Sequence, residues 1–472
     1  MFNPRDMDLV KLYGRLPLAF KRAATAARGA HFARLRYGSE YRRTLVMLRE
    51  SEGWAPDTMA AWQRARLGAV LAEAVRTTDR YAGLDPEAVA HAVRTLDLSG
   101  LPLLDKATYK LEQPSFVNRE RRSVFVSKTS GTTGSPMVVL YDRASVQQRV
   151  AFVDRQREWA GGDARGRSVR LSGHHLVDPT RQRPPFWMVN PAERQLLLST
   201  YHLGPVHLPA IMDRLERYAP QFVDGYPSSV RMLARGAAAL GRRLPSLRAV
   251  ITTAEALDPD ARAEISDAFG VPVLDYYSAS EGVPLIQECV EGRYHLRPES
   301  GVFEFHRSDG TPAGPGERAE LVTTSFTQMM MPQVRYRSGD YVVLDDDPLA
   351  PCACGCRHPT VAGVDGRRED LALAPDGRWI GLLNHRTLKT FESILGSQVV
   401  QTAPDAFTLR LVPGPAFDLD ALRPQIAAKF TAALGQPVTL DYDLVEALPR
   451  GANGKFRSVI RAFEVEAPGA DV

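Results

Sequence analysis

The chain has 472 residues, 44% hydrophobic and 24% charged, with a formal net charge of +4. That length admits two or three domains and a large core, and the balance is that of an ordinary globular protein. The small charge makes no electrostatic case for a nucleic-acid partner, and no apolar run reaches the ~18 residues of a membrane-spanning helix.

In chain order, residues 11–37 are Arg-rich and acid-poor. They read as a helix with a solvated face, the competing reading being a targeting or membrane-surface helix. The first residues lack the apolar centre of a signal peptide. Glu40–Arg49 and Thr58–Arg80 carry apolar residues three and four apart, which predicts helices, with Asp57 as N-cap of the second. Ser123–Val126 and Met137–Tyr141 read as short strands. From 138 to about 275, strands Val169–Leu171, Phe222–Val223, Ala249–Thr252 and Val271–Leu274 alternate with helices Ser145–Trp159, Ile211–Tyr218, Ser228–Leu240 and Pro259–Phe269. Alternation of this kind predicts an α/β fold, an open and largely parallel sheet with helices on its faces. Beyond Glu299, short strands such as Arg318–Thr323 and Tyr341–Leu344 predict a β-rich subdomain. At Gly366-Arg367-Arg368-Glu369-Asp370 the chain is expected to leave the large domain for a small α+β domain. Its strands are expected near 371–374, 398–402, 406–412 and 438–446, and its helices at 384–394 and 418–434. The expected division is a helical leader over 1–100, a large core over 101–366 and a small domain over 367–472.

Between the strands of the first hairpin runs Ser127-Lys128-Thr129-Ser130-Gly131-Thr132-Thr133-Gly134-Ser135-Pro136. Backbone N–H groups and hydroxyls of such a loop can converge on phosphate oxygens, and glycine lets the backbone come close. It is not a Walker loop, because Gly-x-x-x-x-Gly-Lys-Ser/Thr is absent. A polar hairpin loop is the plain alternative. Four further segments end or follow strands: Phe222-Val-Asp-Gly-Tyr-Pro-Ser-Ser229, Thr252-Thr-Ala-Glu-Ala-Leu257, Asp275-Tyr-Tyr-Ser-Ala-Ser-Glu-Gly282 and Tyr336-Arg-Ser-Gly-Asp340. Strand-to-helix turns of a parallel sheet open on one edge, where ligands bind, so these segments can converge. A fifth, Leu448-Pro-Arg-Gly-Ala-Asn-Gly-Lys455, ends on one of only eight lysines in the chain.

In order and wording these segments resemble the adenylate-forming (acyl-AMP-forming) ligase superfamily, and within it the phenylacetate–CoA ligase-like and capsule-biosynthesis branch. The resemblance runs from about residue 40 to 460 and rests on Thr-Ser-Gly-Thr-Thr-Gly-x-Pro, Tyr-x-x-x-Glu, Arg-x-Gly-Asp, Gly-Arg-x-x-Asp and Asn-Gly-Lys in that order. It implies that Thr129, Ser130, Gly131, Thr132, Thr133 and Gly134 hold the β- and γ-phosphates of ATP. It also implies that Glu281 acts with Mg²⁺ and that Asp340 binds the ribose. Thr253, Ala254 and Glu255 with Tyr276 and Tyr277 form the adenine slot, and Ser278 and Ser280 join the nucleotide-binding set. Lys455 neutralises charge at the α-phosphate during adenylation, and Arg367 touches ribose or phosphate. Glu369 and Asp370 belong to a hinge about which the small domain swings between half-reactions. Each has a plain alternative: Glu281 as a helix N-terminal acid, Asp340 as a β-turn cap after Gly339, Lys455 as a solvated lysine, residues 366–370 as a surface turn. Two departures stand out. Met137 replaces the usual Lys after Pro, and Tyr-Ser-Ala-Ser-Glu replaces Tyr-Gly-x-Thr-Glu.

Cys289, Cys352 and Cys354 with His295 form a set suited to tetrahedral structural Zn²⁺; Cys356 is a spare that can replace Cys354, and buried inert thiols are the alternative. The clustering of all four cysteines fits a reducing compartment, so a cytoplasmic location is expected. His174, His175, Gly225, Tyr226 and Ala279 are candidates for the acid pocket, and the two histidines are equally readable as packed or solvent-facing. The expected activity is ATP-dependent activation of a carboxylic acid, aromatic by resemblance, with transfer to coenzyme A. Transfer to an amine or hydroxyl acceptor is the runner-up, and a non-catalytic nucleotide-binding interaction protein is the alternative from another class. A homodimer is left open.

Overall fold

A computed structural model of the chain describes residues 17–128, 137–172, 176–178, 180–367, 372–376, 379–380, 383–388, 391, 393–414, 416–449 and 456–463. The chain divides into two compact units, one ending at Val364 and the other beginning at Asp365.

The larger unit opens with helices α1 (Leu18–Arg36), α2 (Ser39–Ser51), α3 (Pro56–Thr77), α4 (Pro86–Thr95) and α5 (Lys106–Leu111). Asp57 does not cap α3. Its N-cap is Ala55, and Pro56 at the first helical position presets the backbone and needs no N–H partner. Asp85 and Asp105 do cap, accepting from Glu87 N and Thr108 N. Next comes a separate hairpin, β1 (Phe125–Lys128) with β2 (Val138–Tyr141), in which Phe125 faces Tyr141 and Lys128 faces Val138. Its first strand begins two residues later than Ser123, with Phe125 the first residue paired in register, although Val124 N already donates to Tyr141 O. Asp142 then caps α6 (Arg143–Trp159) through Ser145 N at 2.7 Å.

A single sheet of twelve strands organises the rest of this unit. Its members are β3 (Ser168–Ser172), β4 (Trp187–Asn190), β5 (Gln195–Ser199), β6 (Phe222–Gly225), β7 (Ala249–Thr253), β8 (Val273–Tyr277), β9 (Ile286–Glu288), β10 (Tyr294–Leu296), β11 (Gly301–His306), β12 (Arg318–Ser325), β13 (Tyr336–Leu344) and β14 (Thr360–Arg367). Strands β5-β3-β6-β7-β8 run parallel, linked by α7 (Leu208–Tyr218), α8 (Pro227–Ala239) and α9 (Pro259–Phe269). Side chains alternate between faces as a pleat requires. Val223 and Val250 meet Ile211, Leu233 and Ile265 on one side, while Phe222, Ala249, Ile251 and Leu274 pack together on the other. The β-rich part expected beyond Glu299 continues this sheet, in the order β11-β12-β13-β14-β10-β9-β8, because β9 pairs antiparallel with β8.

The smaller unit has a two-stranded ribbon, β15 (Ala372–Leu373) with β16 (Trp379–Ile380), and a four-stranded sheet ordered β19 (Thr439–Leu444), β18 (Ala406–Pro413), β17 (Ile394–Ala403), β20 (Val459–Arg461), covered by α11 (Leu419–Leu434). Phe407, Leu409, Ile426, Phe430 and Leu434 form its core. The helix expected over 384–394 is shorter: α10 is Leu383–Thr387, and Ile394 already pairs with Pro413 in the sheet.

Arg297, fully buried, fastens the leader to the sheet. Its guanidinium bonds Glu52 just beyond α2 at 3.0 Å and Glu299 at 3.1 Å, and lies over the Trp159 ring. Burial opposes the Glu52 charge, but Arg297 and Arg155 overcome it and hold the carboxyl below its usual range. That contribution is complete above the ordinary Glu value of about 4.3 and fades as pH falls beneath it. Arg297→Ala leaves the buried Glu299 carboxylate without its arginine and Glu52 with Arg155 alone, so we expect about 3–5 kcal/mol lost from the larger unit in urea unfolding at pH 7. A loss under about 1 kcal/mol would discount the network.

Candidate active site and a cysteine–histidine cluster

Glu281 lies in the turn after β8, and the turn is held from several directions. Tyr141 donates to Ser280 O at 2.8 Å, Gln333 to Glu281 O at 2.8 Å, Ser325 to Gly282 O at 2.8 Å and Arg149 to Val283 O at 2.9 Å. Gly282, at φ +96°, supplies the left-handed residue that reverses the chain. No helix follows, since the next element is β9 at Ile286; the helix-terminal reading of Glu281 is thereby removed.

The Glu281 side chain is 2% exposed. One oxygen, Oε1, is 3.3 Å from Lys106 Nζ, whereas Oε2 is buried with no hydrogen-bond partner among the described residues. Leaving a carboxylate oxygen dry and unpartnered is costly. Lys106 was not among the residues singled out by sequence. It arrives because Leu104 joins the edge of β13, bonded to Arg335 O and from Arg337 N, and Asp105 then caps α5. Its one available signal was the scarcity of lysine.

Asp340 is 4% exposed and sits in a bulge of β13, where Gly339 takes φ +75° and the pairing shifts between Glu320 and Val322. It does not cap a β-turn. The bulge turns its carboxylate toward Tyr277, whose hydroxyl donates to Oδ2 at 2.6 Å. Burial first, and the Asp340 charge second, push the Tyr277 hydroxyl well above its usual range, with the Glu281 charge adding to both. Both acids therefore face one tyrosine. In the sheet β8 and β13 stand four places apart, about 19 Å if flat, so this contact requires the sheet to curl.

Thr253, Ala254 and Glu255 close β7. Thr253 Oγ1 donates to Tyr276 O at 3.1 Å, Ala254 adopts φ +69°, and Glu255 accepts from Ser228 N at 3.2 Å. Tyr226 stands at the N-cap position of α8 without a capping bond from its side chain, and burial raises its hydroxyl, with the charges of Arg170, Glu255 and Tyr276 also acting on it. Tyr276 and Ser278 line a cavity beside α6. Of the other pocket candidates, Ala279 lies in the core beneath the hairpin, and a Cβ on Gly225 would meet Leu171 Cβ at 2.9 Å. Residues 129–136, His174, His175, Glu369, Asp370 and Lys455, and the Arg367 side chain, lie outside the described residues. The strands flanking the phosphate loop are described: Met137, Val139 and Tyr141 share a core with Ala279, Val283 and Tyr336.

Cys289 after β9, His295 in β10, and Cys352 and Cys354 between β13 and β14 bring their ligand atoms within 4.8 Å of one another. Cys289 Sγ is 3.8 Å from Cys352 Sγ, and Cys354 Sγ is 3.4 Å from His295 Nε2. His295 Nδ1–H donates to His358 O at 3.1 Å, which leaves Nε2 facing the thiols. Burial alone would lower this imidazole, but Cys289 and Cys356 push it up to about 10. Cys356 stands beside the group, its N–H donating to Cys354 Sγ at 3.4 Å. These four side chains can hold a metal ion.

Residues 63–322 match the AMP-binding enzyme family, and residues 373–462 match the CapK C-terminal domain. Protein CapK of Staphylococcus aureus is 23% identical over 454 residues, 95% of this chain and 98% of its own length. The phenylacetate-coenzyme A ligase of Escherichia coli K12 is 27% identical over 308 residues, 60% of this chain and 67% of its own. In fold, a 2-hydroxyisobutyryl-CoA ligase in the postadenylation state matches with TM-score 0.69 at 19% identity, covering 88% of this chain and 91% of that one. The amide bond synthetase McbA from Marinactinospora thermotolerans matches with TM-score 0.50 at 16% identity, covering 70% of this chain and 66% of that one.

The 3.8 Å sulfur separation is far beyond a disulfide bond of about 2.05 Å. We expect all four cysteines to react as thiols when the protein is denatured without reductant. A count of two would mean that the cluster is cross-linked instead.

Proposed function

We propose a function from one premise: the chain belongs to the AMP-binding enzyme family, the adenylate-forming ligases. It activates a carboxylic acid with ATP and passes the acyl group to coenzyme A. The observation that carries this is the pair of buried acids, Glu281 and Asp340, gathered about Tyr277 with the Lys106 ammonium at 3.3 Å from Glu281.

In the first half-reaction a carboxylate oxygen of the acid attacks the α-phosphorus of ATP. The bond from that phosphorus to the bridging oxygen breaks, and pyrophosphate leaves with the electron pair. Two anions must approach, so positioning and cationic charge supply most of the assistance. Residues 129–134 hold the terminal phosphates, Lys455 meets the α-phosphate, and Lys106, 39% exposed, can turn its ammonium to a phosphate. Asp340, oriented by Tyr277, accepts from the ribose hydroxyls. The unpartnered Oε2 of Glu281 is the hard anionic oxygen that suits Mg²⁺, which when bound neutralises phosphate charge. In the second half-reaction the thiol sulfur attacks the acyl carbon, the carbon–oxygen bond to AMP breaks, and the thiol proton passes to solvent. An amine or hydroxyl acceptor is the second reading, favoured by one observation: the fold also matches the amide bond synthetase McbA, over 70% of this chain.

Carboxylate-dependent exchange of pyrophosphate into ATP tests the first half-reaction, and adding coenzyme A or amines to the active acid then decides the acceptor. Lys455→Ala should abolish exchange with ATP binding retained. Lys106→Met and Glu281→Gln should each lower its rate about 100-fold. ATP binding without exchange for any acid in a broad panel would reduce the protein to a nucleotide-binding module.

For the cluster we propose structural zinc on Cys289, His295, Cys352 and Cys354. Zn–S near 2.3 Å and Zn–N near 2.0 Å give tetrahedral edges of about 3.8 and 3.5 Å, against 3.8 and 3.4 Å here. Four protein ligands leave no open position, so the ion would pin the β9–β10 turn to the 352–354 loop. Metal analysis should find one zinc per chain, lost in Cys289→Ser; a stable, metal-free preparation would end the assignment.

A further inference from the structure

Beside β8 a cavity of about 230 Å³ opens between α6, the end of α1 and the sheet. Tyr276 and Ser278 form one wall, three residues short of Glu281. An acid whose reacting carboxylate lies toward Glu281 can extend its other end into this space. The facing strand β3 shows why the space is polar. Val169 and Leu171 are buried in the core under α7 and α8, while the alternate positions Ser168 and Arg170 face the cavity.

Four arginines line the cavity, and three are already engaged. Arg36 pairs with Glu193, Arg157 with Asp154 at 2.9 Å and Asp224 at 2.7 Å, and Arg149 donates to Val283 O at 2.9 Å and Ala279 O at 3.4 Å. Arg170 is different. It stands on an interior strand, is exposed to the cavity, and makes no ion pair or hydrogen bond among the described residues. Its charge reaches the Tyr226 hydroxyl, as do Glu255 and Tyr276, so it belongs to the same group of side chains as the strand-end loops.

We propose that the acid activated by this enzyme carries a second anionic group, a second carboxylate in the simplest case, which Arg170 binds at the cavity end remote from the reacting carboxylate. The inference rests on the adenylation reading above and narrows its substrate class. A guanidinium presents a planar fork that matches carboxylate oxygens two by two, and its gain is largest where water is partly excluded. A wholly apolar acid would leave this charge without a partner and press carbon against polar walls.

The test compares acids matched in skeleton: glutarate against valerate, and 4-carboxyphenylacetate against phenylacetate, in the pyrophosphate exchange assay with wild type, Arg170→Gln and Arg170→Lys. We expect a diacid to exceed its monoacid at least tenfold in kcat/KM. Arg170→Gln should lower the diacid value about 10- to 100-fold, with the monoacid unchanged and Arg170→Lys partly restored. Exchange that favours the monoacids, or that Arg170→Gln leaves unaltered for the diacids, overturns the inference while the ligase reading stands. If no acid supports exchange, the ligase reading falls, and calorimetric titration with glutarate and 4-carboxyphenylacetate decides the pocket. Saturable binding lost in Arg170→Gln keeps it, and absence of binding removes it.

Discussion

A flat sheet could not make this site. Four strand spacings separate β8 from β13, yet the Tyr277 hydroxyl reaches Asp340 at 2.6 Å. Two of the intervening strands, β9 (Ile286–Glu288) and β10 (Tyr294–Leu296), are short, and the bulge at Gly339 adds a sharp local bend to β13. Curling is favourable because it lets Leu296, Leu321, Val342 and Val361 close on one another as a core of their own. The two buried acids, Glu281 and Asp340, are thus brought together by hydrophobic closure elsewhere in the sheet.

Placement of charge follows from that closure. Glu281 is carried into a dry environment by a turn whose carbonyls are satisfied from four neighbouring segments, so the backbone is secure while the carboxylate is not. Stability is sacrificed locally at Glu281 Oε2 and recovered in the surrounding core, the usual arrangement at a functional site. Arg170 stands on a central strand and makes no ion pair or hydrogen bond among the described residues, since its in-register neighbour Asp224 is taken by Arg157. The Arg297 network is equally buried, with carboxylates on two sides and aromatic faces about it, and it ties the helical leader to the sheet.

Much of the plan was readable from residue order. Alternating strands and helices between 138 and 275, the α/β class and the small C-terminal domain follow from periodicity, because burial of one face or both imposes it. The candidate site residues were also readable, since Tyr-x-x-x-Glu, Arg-x-Gly-Asp and the Cys/His set are chemically conspicuous wherever they fall. Less legible were β4 and β5, only four and five residues long, and the start of α3, where proline rather than aspartate sets the first turn.

Sequence alone determined which groups are available: two acids, a phosphate-type loop, a scarce lysine near the C-terminus, and three thiols with an imidazole. Tertiary structure decided which of them meet. Lys106 reaches Glu281 only because Leu104 adds to the edge of β13, and Arg170 faces a cavity only because the pleat turns it away from Val169 and Leu171. Spacing along a chain encodes local periodicity. Contacts between segments more than a hundred residues apart depend on how a twelve-stranded sheet twists and closes, which no short window of sequence contains.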